Sequence, residues 1–280
     1  MSKIALVTDS TSDLPKKVAE KQGIFVVPLN LHFGDETFID GIDITSSEFY
    51  PKLIDSEFHP STSQPSVGKF IKTYEEILQT YDSIISIHMS SKLSATHSSA
   101  VQAKEQISND NIRIIDSKNG TLGLGSLVYS VSKLMKKENN LDNLVTETES
   151  LVDKSQFYGL CATLEYLAKG GRIGKAQEFV GSLLKLKPIL STRGFDGEIG
   201  SVAKVRSFSK GMDYLVNIVE NNKIEDLFVV HGGNFESAEK LIEKLEKVID
   251  KKKIIVSEFG PVVGTHLGPG SFGIGFVGSE

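Results

Sequence analysis

The sequence contains a single cysteine, Cys161, among its 280 residues. An internal disulfide is therefore impossible, and a metal site built from thiolates is disfavoured. Cys161 lies in the mostly apolar run Phe157–Ala162. That setting is typical of a small buried core residue and not of a reactive nucleophile.

Long hydrophobic runs and an excess of positive charge are also missing. No apolar run approaches the roughly twenty residues that a membrane span needs, and the residues after Met1 enter a strand pattern without the features of a signal peptide. We therefore expect a cytoplasmic protein without stable membrane insertion. The 31 basic and 36 acidic residues give a net charge of -5, which argues against a nucleic-acid partner.

What is present is the composition of a soluble globular protein, with 39% hydrophobic and 24% charged residues. The length suffices for two domains of ordinary size. Buried-type strands alternate with helices in the first half, which predicts a Rossmann-like α/β domain with a parallel sheet over residues 1–154. The second half mixes its elements differently, and we expect an α/β domain with a mixed sheet over residues 155–280, with the boundary near Lys154.

Hydroxyl-rich turns recur in the first half, mostly where a strand pattern gives way to a helix pattern. They are Thr8–Leu14, Pro60–Ser66, Ser90–Ser99 and Asp116–Gly120. Turns of this kind in a parallel sheet all lie beyond the carboxyl ends of the strands. The first N–H groups of the following helices are unpaired, so added hydroxyls would create an anion site there. The alternative is that Ser94 or Thr96 only caps its own helix.

Three further local expectations follow from the same patterns. Ser12 or Asp13 can cap a helix that begins near Pro15. Residues 24–33 read as one strand that continues to a turn. The segment Thr45–Glu48 has the spacing of a capping box at the start of another helix.

Several catalytic motifs fail on spacing or context. Gly170–Lys175 is one residue short of a P-loop, and Gly268–Gly273 precedes a strand where a dinucleotide fingerprint needs a helix. Asp9 follows a strand as a phosphotransfer aspartate would, but Thr11 stands where a second carboxylate should be. No Gly-x-Ser-x-Gly elbow of a serine hydrolase is present.

Two histidines could serve as a base. His97 falls on a predicted helix surface, whereas His266 falls in a loop to which Gly264, Gly268 and Gly270 would give conformational freedom. The residues alone thus predict a helix-terminus anion site with hydroxyl ligands and no evident nucleophile, metal or nucleotide loop. A carboxylate and a phosphate would fit equally well, and the pattern favours a binding protein over an enzyme.

The sequence resembles the DegV family, the fatty-acid-binding subunits of bacterial fatty acid kinase, over its whole length. The resemblance rests on six ordered segments, namely Thr8–Leu14, Thr62–Ser66, Ser90–Thr96, Gly171–Ile173, Lys204–Arg206 and Glu258–Gly268. Lys92 and Ala95 depart from the glycines that are common in the family at these positions, while Ser94 is kept.

The resemblance implies a function and a set of site residues. A long-chain fatty acid such as palmitate would lie between the two domains, its carboxylate hydrogen-bonded by Thr62 and Ser94 with His266 close by. Arg172 and Arg206 would face a partner kinase that phosphorylates the carboxylate; without the resemblance they read as solvated loop residues. The chain would be a carrier in fatty acid metabolism, with no catalytic residue, metal or cofactor of its own.

Two other functions remain open from the sequence. One is an enzyme that acts on a small phosphorylated or carboxylated metabolite in the same crevice. The other is a regulatory module that responds to lipid through a different partner.

Overall fold

A computed structural model describes residues 3–179 and 186–279 as a set of three sheets joined by helices. In chain order the strands are β1 (Ile4–Asp9), β2 (Ile24–Val27), β3 (Asn30–Phe33), β4 (Glu36–Ile39), β5 (Ser61–Ser63), β6 (Ser83–His88), β7 (Ile112–Asp116), β8 (Ser155–Leu160), β9 (Lys187–Ser191), β10 (Gly200–Val205), β11 (Lys223–His231), β12 (Ile254–Glu258) and β13 (Phe272–Ser279). The α-helices are α1 (Lys16–Gln22), α2 (Ser46–Asp55), α3 (Val67–Leu78), α4 (Thr96–Ile107), α5 (Thr121–Leu134), α6 (Leu141–Val152), α7 (Glu165–Lys169), α8 (Phe208–Glu220), α9 (Phe235–Leu245) and α10 (Pro261–Leu267).

The first half is built on a parallel sheet with the strand order β2-β1-β6-β7. All residues of β1 and β6 are buried, as expected for central strands that are covered by helices on both faces. The second half is built on a six-stranded sheet with the order β10-β9-β8-β13-β11-β12, in which only the β11–β12 pair is parallel. The prediction of a parallel sheet followed by a mixed sheet is therefore confirmed.

Helix α5 lies between the two sheets and is buried along most of its length. Leu124, Leu127 and Val131 pack into the core of the first half. Leu122 packs instead into the core of the second half, with Phe157 and Phe228. The two halves thus share one helix as a common layer.

The predicted single strand over residues 24–33 is wrong, because the chain divides at Pro28. Strand β2 joins the parallel sheet, whereas β3 pairs with β4 and β5 in a separate antiparallel sheet. Pro28 has no amide hydrogen to give to a continuing ladder, and a proline of this kind marks the end of a strand. The turn that contains Thr62 consequently belongs to this small sheet and not to the carboxyl edge of the parallel sheet.

The helix-cap expectations have mixed outcomes. The Thr45–Glu48 capping box is confirmed, with the Thr45 amide donating to Glu48 Oε2 over 2.9 Å. The expected cap at Ser12 or Asp13 is wrong, since Pro15 is the N-cap of α1. Asp13 instead has a left-handed backbone with φ of 49° and accepts the amide hydrogen of Gly260 over 2.8 Å. This bond joins Asp13 to the residue that precedes α10 of the second half.

His266 lies within helix α10, so the predicted flexible loop is wrong. Gly264 is needed there for close packing, because a Cβ atom at that position would come 2.7 Å from Phe49 and 2.8 Å from the Tyr50 hydroxyl. Glycine in this segment brings α10 against α2 and holds the imidazole in place, instead of making the segment mobile.

Candidate functional site

A narrow cavity lies between the two halves, and apolar atoms form most of the surface of its wall. The space between its lining atoms, including the part open to solvent, is about 820 Å³. The apolar wall combines residues of both halves, chiefly Leu29, Met89, Phe157, Leu167, Leu190 and Leu267. A few polar groups at defined places in an apolar cavity are typical of a site for a small molecule.

Thr62 and His266 form the central polar contact of this cavity. The Thr62 hydroxyl lies 2.9 Å from His266 Nε2 and is brought there by β5, while α10 supplies the imidazole. Burial, with smaller contributions from the Arg172 charge and from His59, lowers the pKa of His266 to about 3. The ring is therefore a neutral imidazole near pH 7 and can share a hydrogen bond without adding a charge.

The second nitrogen of His266 is buried and has no hydrogen-bond partner among the described residues. It lies against Gly170, where a Cβ atom would overlap with it. Glycine at that position therefore leaves the space that the ring occupies. Since no described residue fixes the tautomer through this nitrogen, Nε2 can act as a donor or as an acceptor toward Thr62.

Ser94 lines the same cavity from the turn between β6 and α4. Its hydroxyl lies 2.9 Å from the Thr96 hydroxyl and accepts the Thr96 amide hydrogen over 3.2 Å. The alternative prediction, that Ser94 caps its own helix, is thus confirmed in part, since Ser94 does accept the first amide hydrogen of α4. Because the hydroxyl also lines the cavity, both functions are open to it.

The two arginines have different locations. Arg172 lines the cavity and donates from Nε to the Leu93 carbonyl over 3.2 Å and from Nη1 to the Gly170 carbonyl over 2.9 Å. It therefore joins the connection after α7 to the turn that carries Ser94. Arg206 is exposed just after the edge strand β10 and does not line the cavity.

Neither of the other candidate reactive groups lies at the cavity. His97 is half-buried on α4, and burial lowers the pKa of its imidazole. Burial raises the pKa of the Cys161 thiol to about 11, against which a hydrogen bond to Ser271 acts in the opposite direction. The thiol is thus held in its unreactive protonated form, as its apolar sequence context predicts.

A sealed network of polar side chains lies next to the cavity. His88 Nδ1 is 3.0 Å from Asp9 Oδ2, and His88 Nε2 is 2.7 Å from the Ser86 hydroxyl. The Asp9 carboxylate also accepts the amide hydrogens of Thr11 and Met89 and the Thr11 hydroxyl. Asp9, Ser86 and His88 are completely buried, whereas Thr11 and Met89, which bond to Asp9, line the cavity.

A family model described as "Uncharacterised protein, DegV family" matches residues 3–279. The chain belongs to the DegV family. It is 35% identical to the protein DegV of Bacillus subtilis over 277 residues, which are 97% of this chain and 98% of that one. It is 32% identical to a DegV domain-containing protein of Caldanaerobacter subterraneus subsp. tengcongensis over 280 residues, 99% of each chain.

Solved structures of the DegV family have the same fold. A fatty-acid-binding DegV family protein of Thermus thermophilus superposes with a TM-score of 0.91 at 32% identity and covers 99% of this chain and 100% of its own. The Bacillus subtilis DegV structure, that of a fatty acid binding protein, superposes with a TM-score of 0.86 at 33% identity and covers 100% of both chains.

The geometry brings together four of the five residues that the family resemblance implied. Thr62, Ser94, Arg172 and His266 line one cavity, whereas Arg206 does not. The residues of the apolar wall could not be identified from the sequence. An apolar residue in a strand, such as Phe157 or Leu190, gives the same sequence pattern whether it faces a core or a cavity. Among the described residues there is neither a cluster of three or more metal-ligating side chains nor a helix suited by length and apolarity to cross a bilayer.

Proposed function

We propose that this chain binds a long-chain fatty acid, palmitate-like in length, between two domains formed by residues 1–154 and 155–280. The observation that carries the proposal is a narrow apolar cavity with the hydroxyls of Thr62 and Ser94 on its wall. Fatty acid binding by the Thermus thermophilus and Bacillus subtilis relatives supports it. The carboxylate would be held by Thr62 and Ser94, with His266 beside them.

The apolar wall would supply most of the affinity. Each buried methylene contributes about 0.8 kcal/mol, so a chain of roughly sixteen carbons can be held tightly without a charge at the head group. The head-group donors are two hydroxyls and an imidazole whose lowered pKa keeps it neutral near pH 7. Hydrogen bonds to neutral donors are weaker than bonds to a cation, so the carboxylate would remain reactive.

The same chemistry suits a carrier that presents its ligand to another protein. We propose that a partner fatty acid kinase phosphorylates the bound carboxylate, for use in fatty acid metabolism and phospholipid synthesis. Arg172, exposed at the cavity, and Arg206, exposed at the edge of the six-stranded sheet, would face this kinase. A kinase that uses a nucleoside triphosphate would place the reaction in the cytoplasm. The carrier itself would provide no nucleophile, metal or cofactor.

The alternative is an enzyme that acts on a small phosphorylated or carboxylated metabolite in this cavity. The Ser86–His88–Asp9 arrangement resembles a hydrolase triad in its distances. None of these three residues lines the cavity, so no substrate there could reach the serine. A mainly apolar wall also suits an acyl chain better than a small polar metabolite.

The proposal is tested by extracting lipid from purified protein and analysing it by mass spectrometry. We expect about one fatty acid per chain from the wild type and a strongly reduced amount from the double variant Thr62→Val/Ser94→Ala. The matched control is Thr146→Val/Ser150→Ala, which removes the hydroxyls of two exposed residues that donate to carbonyls of their own helix, α6. An empty wild-type protein, or equal loading of all three proteins, would contradict fatty acid binding at this site.

The kinase step has its own test. The loaded protein is incubated with a fatty acid kinase catalytic subunit and ATP, and acyl phosphate is trapped with hydroxylamine. We expect hydroxamate only when both proteins are present. Formation of the product by the carrier alone would favour the enzyme alternative.

A further inference from the structure

Helix α10 forms one wall of the ligand cavity, although the chain around it belongs to the second half. Four of its seven residues line the cavity, namely Val262, Val263, His266 and Leu267. The helix makes about two turns, and a helix of this length has little stability of its own. The groups that hold α10 in place therefore also decide where the His266 imidazole lies.

Two buried carboxyl groups of the first half meet the start of α10. Asp13, in the turn after β1, accepts the amide hydrogen of Gly260 over 2.8 Å. Asp40, directly after β4, accepts that of Val262 over 3.4 Å. A Cβ atom on Gly260 would lie 3.2 Å from Asp13 Oδ1 and 3.5 Å from Asp40 Oδ1. Both carboxyl groups thus lie against one residue, and the start of α10 is held from two separate elements of the first half.

The segment that leads into α10 is bonded to the first half as well. The Ser257 hydroxyl donates to the backbone carbonyl of Asp13. The hydroxyls of Ser46 and Tyr50, both on α2, donate to the Phe259 carbonyl over 3.2 Å and 3.3 Å. None of the first-half residues in these bonds, nor Asp40, lines the cavity. They can therefore influence a ligand only through the position of α10.

The chemistry of Asp13 suits a fixed bond. Burial raises the pKa of Asp13 well above its usual value, although the Thr121 hydroxyl and the Gly260 amide act in the opposite direction. The neutral acid can accept the Gly260 amide hydrogen with one oxygen and donate to the Thr121 hydroxyl with the other. Asparagine offers the same acceptor and donor. Asp13 also has a left-handed backbone with a φ of 49°, which asparagine and glycine both tolerate.

We propose that Asp13 and Asp40 are positioning residues of the ligand site, which hold α10 so that His266 lies next to Thr62. This inference rests on the proposed fatty acid binding and adds two residues to it. Without these carboxyl groups the start of α10 would lose its bonds to the first half, and the imidazole would move away from Thr62. The affinity for a fatty acid would then fall through the loss of one head-group contact, while the apolar wall of the second half stays in place.

The test measures palmitate binding to delipidated Asp13→Gly and Asp13→Asn, each with and without His266→Ala. We expect Asp13→Gly to lower the affinity by about tenfold when the imidazole is present. In the His266→Ala background the loss should be less than about twofold, because the contact that Asp13 supports is already gone. Asp13→Asn should recover binding to within about threefold of the wild type. Asp40→Ala should follow the pattern of Asp13→Gly with a smaller loss, about threefold, since its bond to α10 is longer.

The matched control is Asp43→Ala. It removes an exposed carboxylate from the same turn as Asp40, one that accepts the Ile39 amide hydrogen over 2.8 Å and does not contact α10. Nuclear magnetic resonance of histidine-labelled protein observes the imidazole directly, and the His266 signals should shift in Asp13→Gly but not in Asp43→Ala. If Asp13→Gly does not fold, Gly260→Ala replaces it in the same cycle, because its added Cβ atom would press on the Asp13 carboxyl group.

The outcomes separate this inference from the function on which it rests. An unchanged palmitate affinity, an equal loss with and without the imidazole, or His266 signals that do not shift would overturn the positioning role. An equally large loss in Asp43→Ala would overturn it too. A wild-type protein that binds no palmitate would instead overturn fatty acid binding. Thermal unfolding of the delipidated variants checks that each is folded.

Discussion

The histidine–hydroxyl pairs His88–Ser86 and His266–Thr62 have surroundings that differ in every respect that matters for function. His88 contacts Ser86 on one side and Asp9 on the other, at 2.7 Å and 3.0 Å, and all three side chains are completely buried. His266 contacts Thr62 at 2.9 Å and faces a cavity, and its second nitrogen has no partner in the part of the chain that the structure describes.

The comparison shows that a histidine–hydroxyl pair can act on a ligand only where a ligand can reach it, whichever side chains the pair contains. The sealed pair has the serine, imidazole and carboxylate of a hydrolase triad, yet each polar atom is occupied by the protein. The cavity pair has no carboxylate, so its imidazole has no group to orient it as a base. We infer that the first pair holds the end of β1 against the end of β6, while the second is free to bind a ligand.

The largest effect is expected for the sealed pair. The Asp9 carboxylate accepts hydrogen bonds from His88, Met89 and Thr11. Asp9→Ala would leave these buried donors without partners, and we expect the free energy of unfolding to fall by about 3–5 kcal/mol. Urea denaturation followed by circular dichroism measures the change.

Asp142→Ala is the matched control for this variant. It removes an exposed carboxylate that pairs with Arg113 at 3.1 Å, and such surface pairs contribute about 0–1 kcal/mol. Equal stability of the two variants would show that the sealed network is not a structural element of this kind.

A smaller, pH-dependent effect is expected for the cavity pair. Burial lowers the pKa of His266 to about 3 in the folded protein, against about 6.5 in an unfolded chain. Between these values the unfolded state takes up a proton that the folded state refuses, so stability decreases as the pH falls from about 6.5 to about 3. The slope from this residue is about 1.4 kcal/mol per pH unit.

His266→Asn removes this titration and retains a hydrogen-bonding side chain next to Thr62. The difference in unfolding free energy, wild type minus variant, should therefore shrink with decreasing pH below about 6.5. Asp13 and Asp40, whose pKa values burial raises, titrate in both proteins and do not enter the difference. Parallel pH profiles for the two proteins would refute a buried neutral His266.

The same contrast explains how much of the fold and the site could be predicted from sequence. The Thr45–Glu48 capping box has a local signal, its residue spacing, and is found as predicted. Asp9 could be seen in the sequence as a carboxylate after a strand. Its partner His88 lies on another strand, however, and no local pattern reports the pairing of β1 with β6.

The residues of the candidate site could be predicted from their types and from the family resemblance. Their arrangement in space could not, because it depends on how the chain packs. The hydroxyl-rich turns were visible as composition, but the neighbours of Thr62 in β5 depend on a small antiparallel sheet that the single-strand reading of residues 24–33 excluded. The sequence did not predict a helix at His266, because the glycines around it are a pattern typical of a flexible loop. Here Gly264 serves contact with Phe49 and Tyr50, which only the folded chain brings near.

The smallest effects are expected for the two arginines, and they differ in kind. Arg172 donates hydrogen bonds to the Leu93 and Gly170 carbonyls beside the cavity. Arg172→Ala removes these exposed bonds, and we therefore expect it to speed the release of bound palmitate by a factor of about three to ten. Arg206 is exposed and lies away from the cavity lining, and Arg206→Ala should leave release and stability unchanged within about 0.5 kcal/mol. Stopped-flow transfer of a fluorescent fatty acid to lipid vesicles measures the release rate. Both variants could release palmitate at the wild-type rate while the kinase phosphorylates their bound palmitate more slowly. Arg172 would then act only on the partner, as Arg206 is proposed to do, and its bond to the Leu93 carbonyl would have no part in retaining the ligand.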